Sequence, residues 1–132
     1  MRINVTAGKI LNKILEGIYQ NEKFIPFNEA MINGSCESEL FSPSFMAERA
    51  KTHNVTLEEY KENMSEFISF IENTEAYSEV VLWFGDEPFC RENVKTVLQA
   101  LADRRFKGRI TLNTVIEETG KIVKTEDKTA WN

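Results

Sequence analysis

The sequence predicts an α/β domain, a three-layer sandwich in which a mostly parallel sheet of about four or five strands carries helices on both faces. An antiparallel carboxy-terminal hairpin is expected at one edge. Three observations carry this. Strand-like and helix-like segments alternate along the 132 residues, the order that crossover units impose. The run Val80-Val81-Leu82-Trp83-Phe84 is apolar on both pleat faces, as a central strand covered from above and below requires. Thr119-Gly120 separates two strand-like segments near the carboxyl end, where a glycine can turn the chain back on itself.

The elements follow in order. Residues 2 to 6, Arg-Ile-Asn-Val-Thr, alternate apolar and polar side chains and read as a first strand ending before Gly8. Ile10, Leu11, Ile14, Leu15 and Ile18 recur at helical spacing as one apolar stripe, with Lys9, Asn12, Lys13 and Glu16 toward water. Residues 23 to 28 form a second strand built on Phe24, Ile25 and Phe27. Pro26 lacks a ladder amide and sends that strand toward an edge. Residues 29 to 42 show no period and contain Asn33-Gly34-Ser35, so they read as a loop of a length usually tied to function. Ser42-Pro43 opens a short helix to about Lys51. Thr56 and Glu59 have capping-box spacing and open a further helix with the continuous stripe Leu57, Tyr60, Met64, Phe67, Ile68 and Ile71. After the central strand at 79 to 84, Val94, Val97, Leu98, Leu101 and Ala102 mark another helix, with Gly108 the expected left-handed stop. Residues 109 to 116 alternate as a strand, and 121 to 124 pair back onto them. A single domain is expected over residues 1 to 125, with 126 to 132 a polar, frayed tail.

Sixteen Lys and Arg against 21 Asp and Glu give a formal charge of -5, which repels a phosphate backbone, so nucleic acid is not an expected partner. The basic run Arg104, Arg105, Lys107 and Arg109 falls at a helix end, where cations complement free carbonyls. No stretch reaches the roughly 18 apolar residues of a membrane span, and no basic region followed by an apolar run opens the chain. A membrane role is not expected, and the expected location is the cytoplasm. Cys36 and Cys90 are too few for a disulfide framework and read as reduced thiols.

The run Val80 to Phe84, followed by Phe89-Cys90 and Asn93, resembles the signature of an uncharacterised bacterial family known as domain of unknown function 1835. The first strand with its glycine turn, the second strand followed by Glu29 and Gly34, and the helical stretch with Phe45, Arg49, Ala50 and Tyr60 are similar to it too, so the resemblance covers roughly residues 2 to 113. It implies a bacterial α/β domain and no particular activity. The chain departs from the family at Ala7-Gly8-Lys9, where Asn-Gly-Asp is usual, and at Gly85-Asp86-Glu87-Pro88 and Arg91, where other polar groups stand.

Open parallel sheets bind ligands beyond the carboxyl ends of their strands, where the strand order reverses. A 2-1-3-4 order brings the turn Thr6 to Lys9 beside Gly85 to Cys90, with Asn28 and Glu29 flanking. The candidate ligand-binding residues are Thr6, Gly8, Lys9, Asn28, Glu29, Asp86, Glu87, Arg91 and Asn93. Asp86 and Glu87 can equally serve only as helix caps. Cys90 falls in a first helical turn, where free amides favour a thiolate. Yet His53 is far in sequence from every strand end, and Thr96 stands where a phosphatase loop has arginine, so Cys90 is expected to be a buried side chain against Trp83 or Phe89.

Gly8-Lys9 lacks the other residues of a phosphate loop and no G-x-G-x-x-G occurs, so no cofactor is expected. No metal site is assigned, although Glu29, Asp86 and Glu87 have the oxygen chemistry of a Mg²⁺ ligand set. The expected function is binding or sensing of a small polar ligand or a partner protein. Two alternatives stand beside it: a metal-assisted hydrolase or phosphoryl-transfer enzyme using Asp86 and Glu87, and an assembly role as a homodimer through the sheet edge or aromatics such as Trp131.

Overall fold

A computed structural model describes residues 1–34 and 38–130. The strands are β1 (Arg2–Thr6), β2 (Phe24–Pro26), β3 (Glu79–Phe84), β4 (Arg109–Ile116) and β5 (Lys121–Asp127). They form one sheet in the order β2-β1-β3-β4-β5, parallel except for the antiparallel β4–β5 hairpin at one edge. The fold class is as the sequence predicts. β3 is the middle strand and is buried from Val80 to Phe84, the reason its sequence shows no alternation. β2 is the opposite edge, where Pro26 costs no ladder bond.

The helices are α1 (Lys9–Ile18), α2 (Pro43–Thr52), α3 (Leu57–Asn63), α4 (Ser65–Ile71) and α5 (Pro88–Asp103). α2 to α5 share a core with one sheet face, in which Phe45, Phe67 and Leu101 meet Ile3, Phe27, Leu82 and Phe84. α1 covers the other face, with Leu11 and Leu15 over Phe24, Val81, Trp83 and Val115. Helices thus lie on both faces. The starts have the expected chemistry: Ser42 Oγ accepts from the Phe45 amide at 3.2 Å, and Thr56 with Glu59 makes both capping-box bonds.

Several expectations are corrected. Only one side of the α1 stripe reaches the sheet; Ile10 and Ile18 remain 81% and 53% exposed because a single short helix roofs this face. The helix opened by Thr56 breaks at Met64 (φ -102°, ψ 7°), where the Asn63 carbonyl takes a 3.0 Å hydrogen bond from Asn28 Nδ2. The left-handed residue after α5 is Arg105 (φ 55°), with the Phe106 amide on the Leu101 carbonyl and the Arg105 amide on that of Ala102, both at 3.0 Å. Gly108 answers a different need, since a Cβ there would lie 2.3 Å from the Ser78 carbonyl oxygen. β5 continues past Lys124 to Asp127, and the Ile110 amide then donates to Thr129 Oγ1 at 3.0 Å. Cys36 and Trp131 lie outside the described residues. Among those described, no helix is long and apolar enough to cross a membrane.

Candidate functional site

The segment leaving β2 is fastened by a buried polar network. The Glu29 carboxylate receives Arg49 Nη2 on Oε1 at 2.8 Å and Arg49 Nε on Oε2 at 3.1 Å. Tyr60 Oη donates to Oε2 at 2.5 Å and the Ala30 amide to Oε1 at 2.8 Å. His53 Nε2 lies 2.5 Å from Oε1, so that ring nitrogen carries the proton of the contact. Burial pushes the Glu29 carboxyl up, but these donors outweigh it, Arg49 first and then Tyr60, and hold it below the usual 4.5. Arg49 also donates to the carbonyls of Asn33 (2.8 Å) and Ala30 (3.0 Å). From the other side Asn93 donates to the Glu29 carbonyl at 2.8 Å and accepts from the Met31 amide at 2.9 Å. Residues 29 to 33 are thereby tied to α2, α3 and α5.

His53 reaches this network through the end of α2. Asn54 is left-handed (φ 56°), and the Val55 and Asn54 amides return to the carbonyls of Ala50 and Lys51 at 3.0 Å. A hollow of about 400 Å³, walled in part by Asn28, His53, Tyr60 and Asn63, adjoins it. Since both Glu29 oxygens are engaged, the carboxylate orients His53 and is committed as neither a base nor a cation ligand.

A second group gathers where β3 gives way to α5. A Cβ on Gly85 would lie 2.4 Å from Glu87 Oε2 and 2.7 Å from Glu117 Oε2, so two carboxylates converge over a residue with no side chain. Glu87 is the residue before α5, but its side chain makes no capping bond. Cys90 Sγ is 3.6 Å from Glu117 Oε2, and the two carboxylate oxygens and the sulfur lie within 4.8 Å of one another. Burial, then the neighbouring Glu87, raises the Glu117 carboxyl above its usual range. Burial, then Glu117, pushes the Cys90 thiol up to about 12. Desolvation therefore overrides the helix terminus, and Cys90 is a protonated thiol at neutral pH. It is buried, as expected, in the core on the α5 side, whereas Trp83 belongs to the core under α1, which corrects the expected packing against Trp83.

A cleft of about 400 Å³ runs along α5 from Arg91 to Leu98 beside the β4–β5 hairpin, with Gly85 and Asp86 at one end. The β4–β5 register sets Leu112 opposite Glu126 and Thr114 opposite Lys124, placing these four on one face. Val94, Leu98 and Leu112 make the floor. Arg91, Lys95, Lys124 and Lys128 stand around it with Asp86 and Glu126. Arg91 Nε donates to the Asp86 carbonyl at 3.1 Å, and its guanidinium is 3.7 Å from the Asp86 carboxylate.

No protein-family model, curated protein or solved structure matches the chain. The geometry alone bears on function.

The nine candidate residues do not share one crevice. Asp86 and Arg91 line the α5 cleft, and Glu87 joins Glu117 and Cys90. Asn28 and Glu29 line the hollow beside His53, where Asn28 bonds Asn63. Asn93 is buried and spent on the loop backbone. Thr6 is also buried, donating to Asn12 Oδ1 at 2.8 Å, while the turn it begins sits against β3 through an Ala7 amide bond to the Trp83 carbonyl. Gly8 precedes α1, and Lys9 is exposed at its start. Glu29, Asp86 and Glu87 do not converge; the sole grouping of three such ligand types among the described residues is Glu87, Cys90 and Glu117.

Sequence reasoning missed the roles of Arg49, His53, Glu117 and the hairpin lysines. Arg49 had a signal: Phe45, Met46, Arg49 and Ala50 fall on one helical face, which placed a guanidinium inside. Lys124 and Glu126 had one too, since alternate residues of a strand share a face, and Lys128 follows directly on the end of β5. His53 and Glu117 had none, because nothing local announces a partner 24 or 27 residues away.

Proposed function

We propose that this domain is a binding module that takes a small ligand in the cleft between α5 and the β4–β5 hairpin, at the carboxyl end of β3. The observation that carries the reading is the cleft itself: about 400 Å³, with an apolar floor and converging charged groups, including Asp86 and Arg91. That size and lining suit a small molecule, and the Gly85 end of the cleft meets the carboxyl end of β3, where open α/β sheets place their ligands. The formal charge of -5 supports leaving nucleic acid out, and the sequence features above support a cytoplasmic bacterial relative of domain of unknown function 1835. The test is a ¹H–¹⁵N spectrum titrated with amino acids, sugar phosphates, nucleotides and short organic acids and amines. At least one class should shift the amides of Gly85, Lys95 and Thr114, with the shift lost in Arg91→Ala. If no class moves these amides at millimolar concentration, the reading fails.

A second reading is favoured by the Glu87, Cys90 and Glu117 atoms lying within 4.8 Å. There a divalent cation would support hydrolysis or phosphoryl transfer, with Glu87 and Glu117, not Glu87 and Asp86, as the carboxylates. Stabilisation by Mg²⁺ or Zn²⁺ that disappears in Glu117→Gln supports it, and no stabilisation by any divalent ion removes it.

A further inference from the structure

We infer that the ligand of the α5–hairpin cleft is an anion carried on a short aliphatic body, an acyl carboxylate or an alkyl phosphate monoester. The inference rests on the reading that this cleft is the binding site, and adds the chemistry. Charge comes first. Arg91 and Lys95 enter from α5, one helical turn apart, while Lys124 and Lys128 enter from the hairpin opposite, so cations from two elements face one space. Only Asp86 and Glu126 oppose them within the cleft, an excess of two positive charges in a chain whose net charge is -5. Glu92 meets Lys95 at 3.5 Å from outside and Glu87 and Glu117 lie beyond Gly85, but away from that end three lysines, Lys95, Lys124 and Lys128, still face two carboxylates, Glu92 and Glu126.

The existing ion pairs do not consume these cations. Glu126 is divided between Lys124 at 3.7 Å and Lys128 at 3.8 Å, so one carboxylate serves two ammonium groups. The Asp86–Arg91 pair is 3.7 Å apart with side chains 80% and 64% exposed. Loose exposed pairs of this kind contribute little, and exchanging an intramolecular carboxylate for that of a ligand costs little. The Gly85 end of the cleft lies against the Glu87 and Glu117 carboxylates, so the anion is placed toward Lys95, Lys124 and Lys128.

The floor selects the remainder of the molecule. Val94, Leu98 and Leu112 are aliphatic, and no aromatic side chain lines the cleft among the described residues. Nucleobases, sugar rings and quaternary cations use aromatic faces, so this lining favours an alkyl body over those classes. A bare inorganic anion would leave the floor unused.

The experiment titrates the whole chain at low ionic strength, following the amides of Gly85, Lys95, Leu112 and Thr114. Hexanoate, hexanamide and hexylamine share a chain and differ in charge; monobutyl phosphate and inorganic phosphate separate the anion from its body. Hexanoate or monobutyl phosphate should bind most tightly, and which of the two leads tells carboxylate from phosphate. Binding should weaken roughly tenfold in Lys124→Gln/Lys128→Gln and again with added salt. Lys95→Gln, on the opposite wall, should weaken it as well and does not depend on the hairpin. Hexylamine or hexanamide binding as well as hexanoate, inorganic phosphate matching monobutyl phosphate, or indifference to the lysine variants overturns the ligand class and leaves the cleft as the site. Silence of these amides toward every compound, together with the broader collection above, overturns the binding reading itself.

Discussion

Replacing Arg49 by methionine tests what holds the loop after β2. Arg49 and Glu29 both have fully buried side chains, so the substitution leaves a carboxylate in place and takes away its one fixed counter-charge among the described residues. The lost groups include two bonds to that carboxylate, at 2.8 and 3.1 Å, and two to the carbonyls of Asn33 and Ala30, at 2.8 and 3.0 Å. Breaking one partner of a buried pair typically costs about 3–5 kcal/mol. Tyr60, His53 and the Ala30 amide still hold Glu29, and the carboxyl can also take up a proton, so the lower end, about 3 kcal/mol, is expected. Over 132 residues that corresponds to a fall in Tm of about 11 °C.

The pH dependence fixes the cause. The folded-state carboxyl of Glu29 is held below its usual 4.5, so its contribution is present above 4.5 and is lost as the pH falls through the lower folded value. Urea denaturation of wild type and Arg49→Met should therefore differ most at neutral pH and converge in acid. The double variant Glu29→Gln/Arg49→Met should recover part of the loss, because no buried charge is then left alone. A loss under about 1 kcal/mol at pH 7, or a difference unchanged between pH 7 and pH 3, refutes the reasoning.

Three further outcomes follow from the same structure. The Glu117 carboxyl is raised in the folded state, so its favourable contribution is complete below the usual 4.5 and fades as the pH rises through the folded value; Glu117→Gln should raise Tm at pH 7 and match wild type near pH 4 in thermal scans. With its thiol pushed up to about 12, Cys90 should resist iodoacetamide at pH 8 in the native chain and react after denaturation, and peptide-level mass spectrometry showing rapid native alkylation contradicts this. Gly108→Ala would set a Cβ 2.3 Å from the Ser78 oxygen and should cost roughly 2 kcal/mol or more, while Arg105→Gly, at φ 55°, should stabilise by about 1 kcal/mol; urea midpoints in the reverse order would undo both assignments.

What was legible in the sequence is what short-range physics determines. The apolar run from Val80 marks the middle strand because burial on both faces removes alternation, and Pro26 marks an edge because a central ladder needs its missing amide. Thr56 and Glu59 announce a helix start because both bonds of the box close within three residues. What was not legible depends on long-range geometry. The five α1 isoleucines and leucines look equivalent in sequence, and only the placement of β1, β2 and β3 beneath one helix decides that Leu11 and Leu15 are core and Ile10 is not. His53 reads as an isolated histidine until the α2 turn aims it at Glu29, and Glu87 reads as a cap until Glu117 arrives from the end of β4. As the glycine nearest the end of α5, Gly108 is the residue that sequence favours for the left-handed turn, but Arg105 takes that conformation and the glycine is required by the nearby Ser78 backbone.

The buried pair bears on the cleft through the loop it fixes. A buried ion pair is a poor device for stability alone, since apolar residues of equal volume often do as well or better, and its better-attested use is to specify one arrangement. Here the arrangement specified is the path of residues 29 to 33, held by Arg49 on one side and by Asn93 of α5 on the other. Met31, Ile32 and Gly34 then form one wall of a hollow whose other wall is Pro88, Arg91 and Glu92. Arg91 therefore stands between that hollow and the α5–hairpin cleft. Loosening the loop should free this arginine to turn away from the cleft without altering any residue that lines it. Arg49→Met is accordingly expected to weaken a cleft ligand in the fraction of molecules that remain folded, and Asn93→Ala to do the same through the opposite tether. Ligand titration of both variants under conditions where their near-ultraviolet spectra match wild type measures this directly, and affinities equal to wild type in both show that the loop and the cleft are independent.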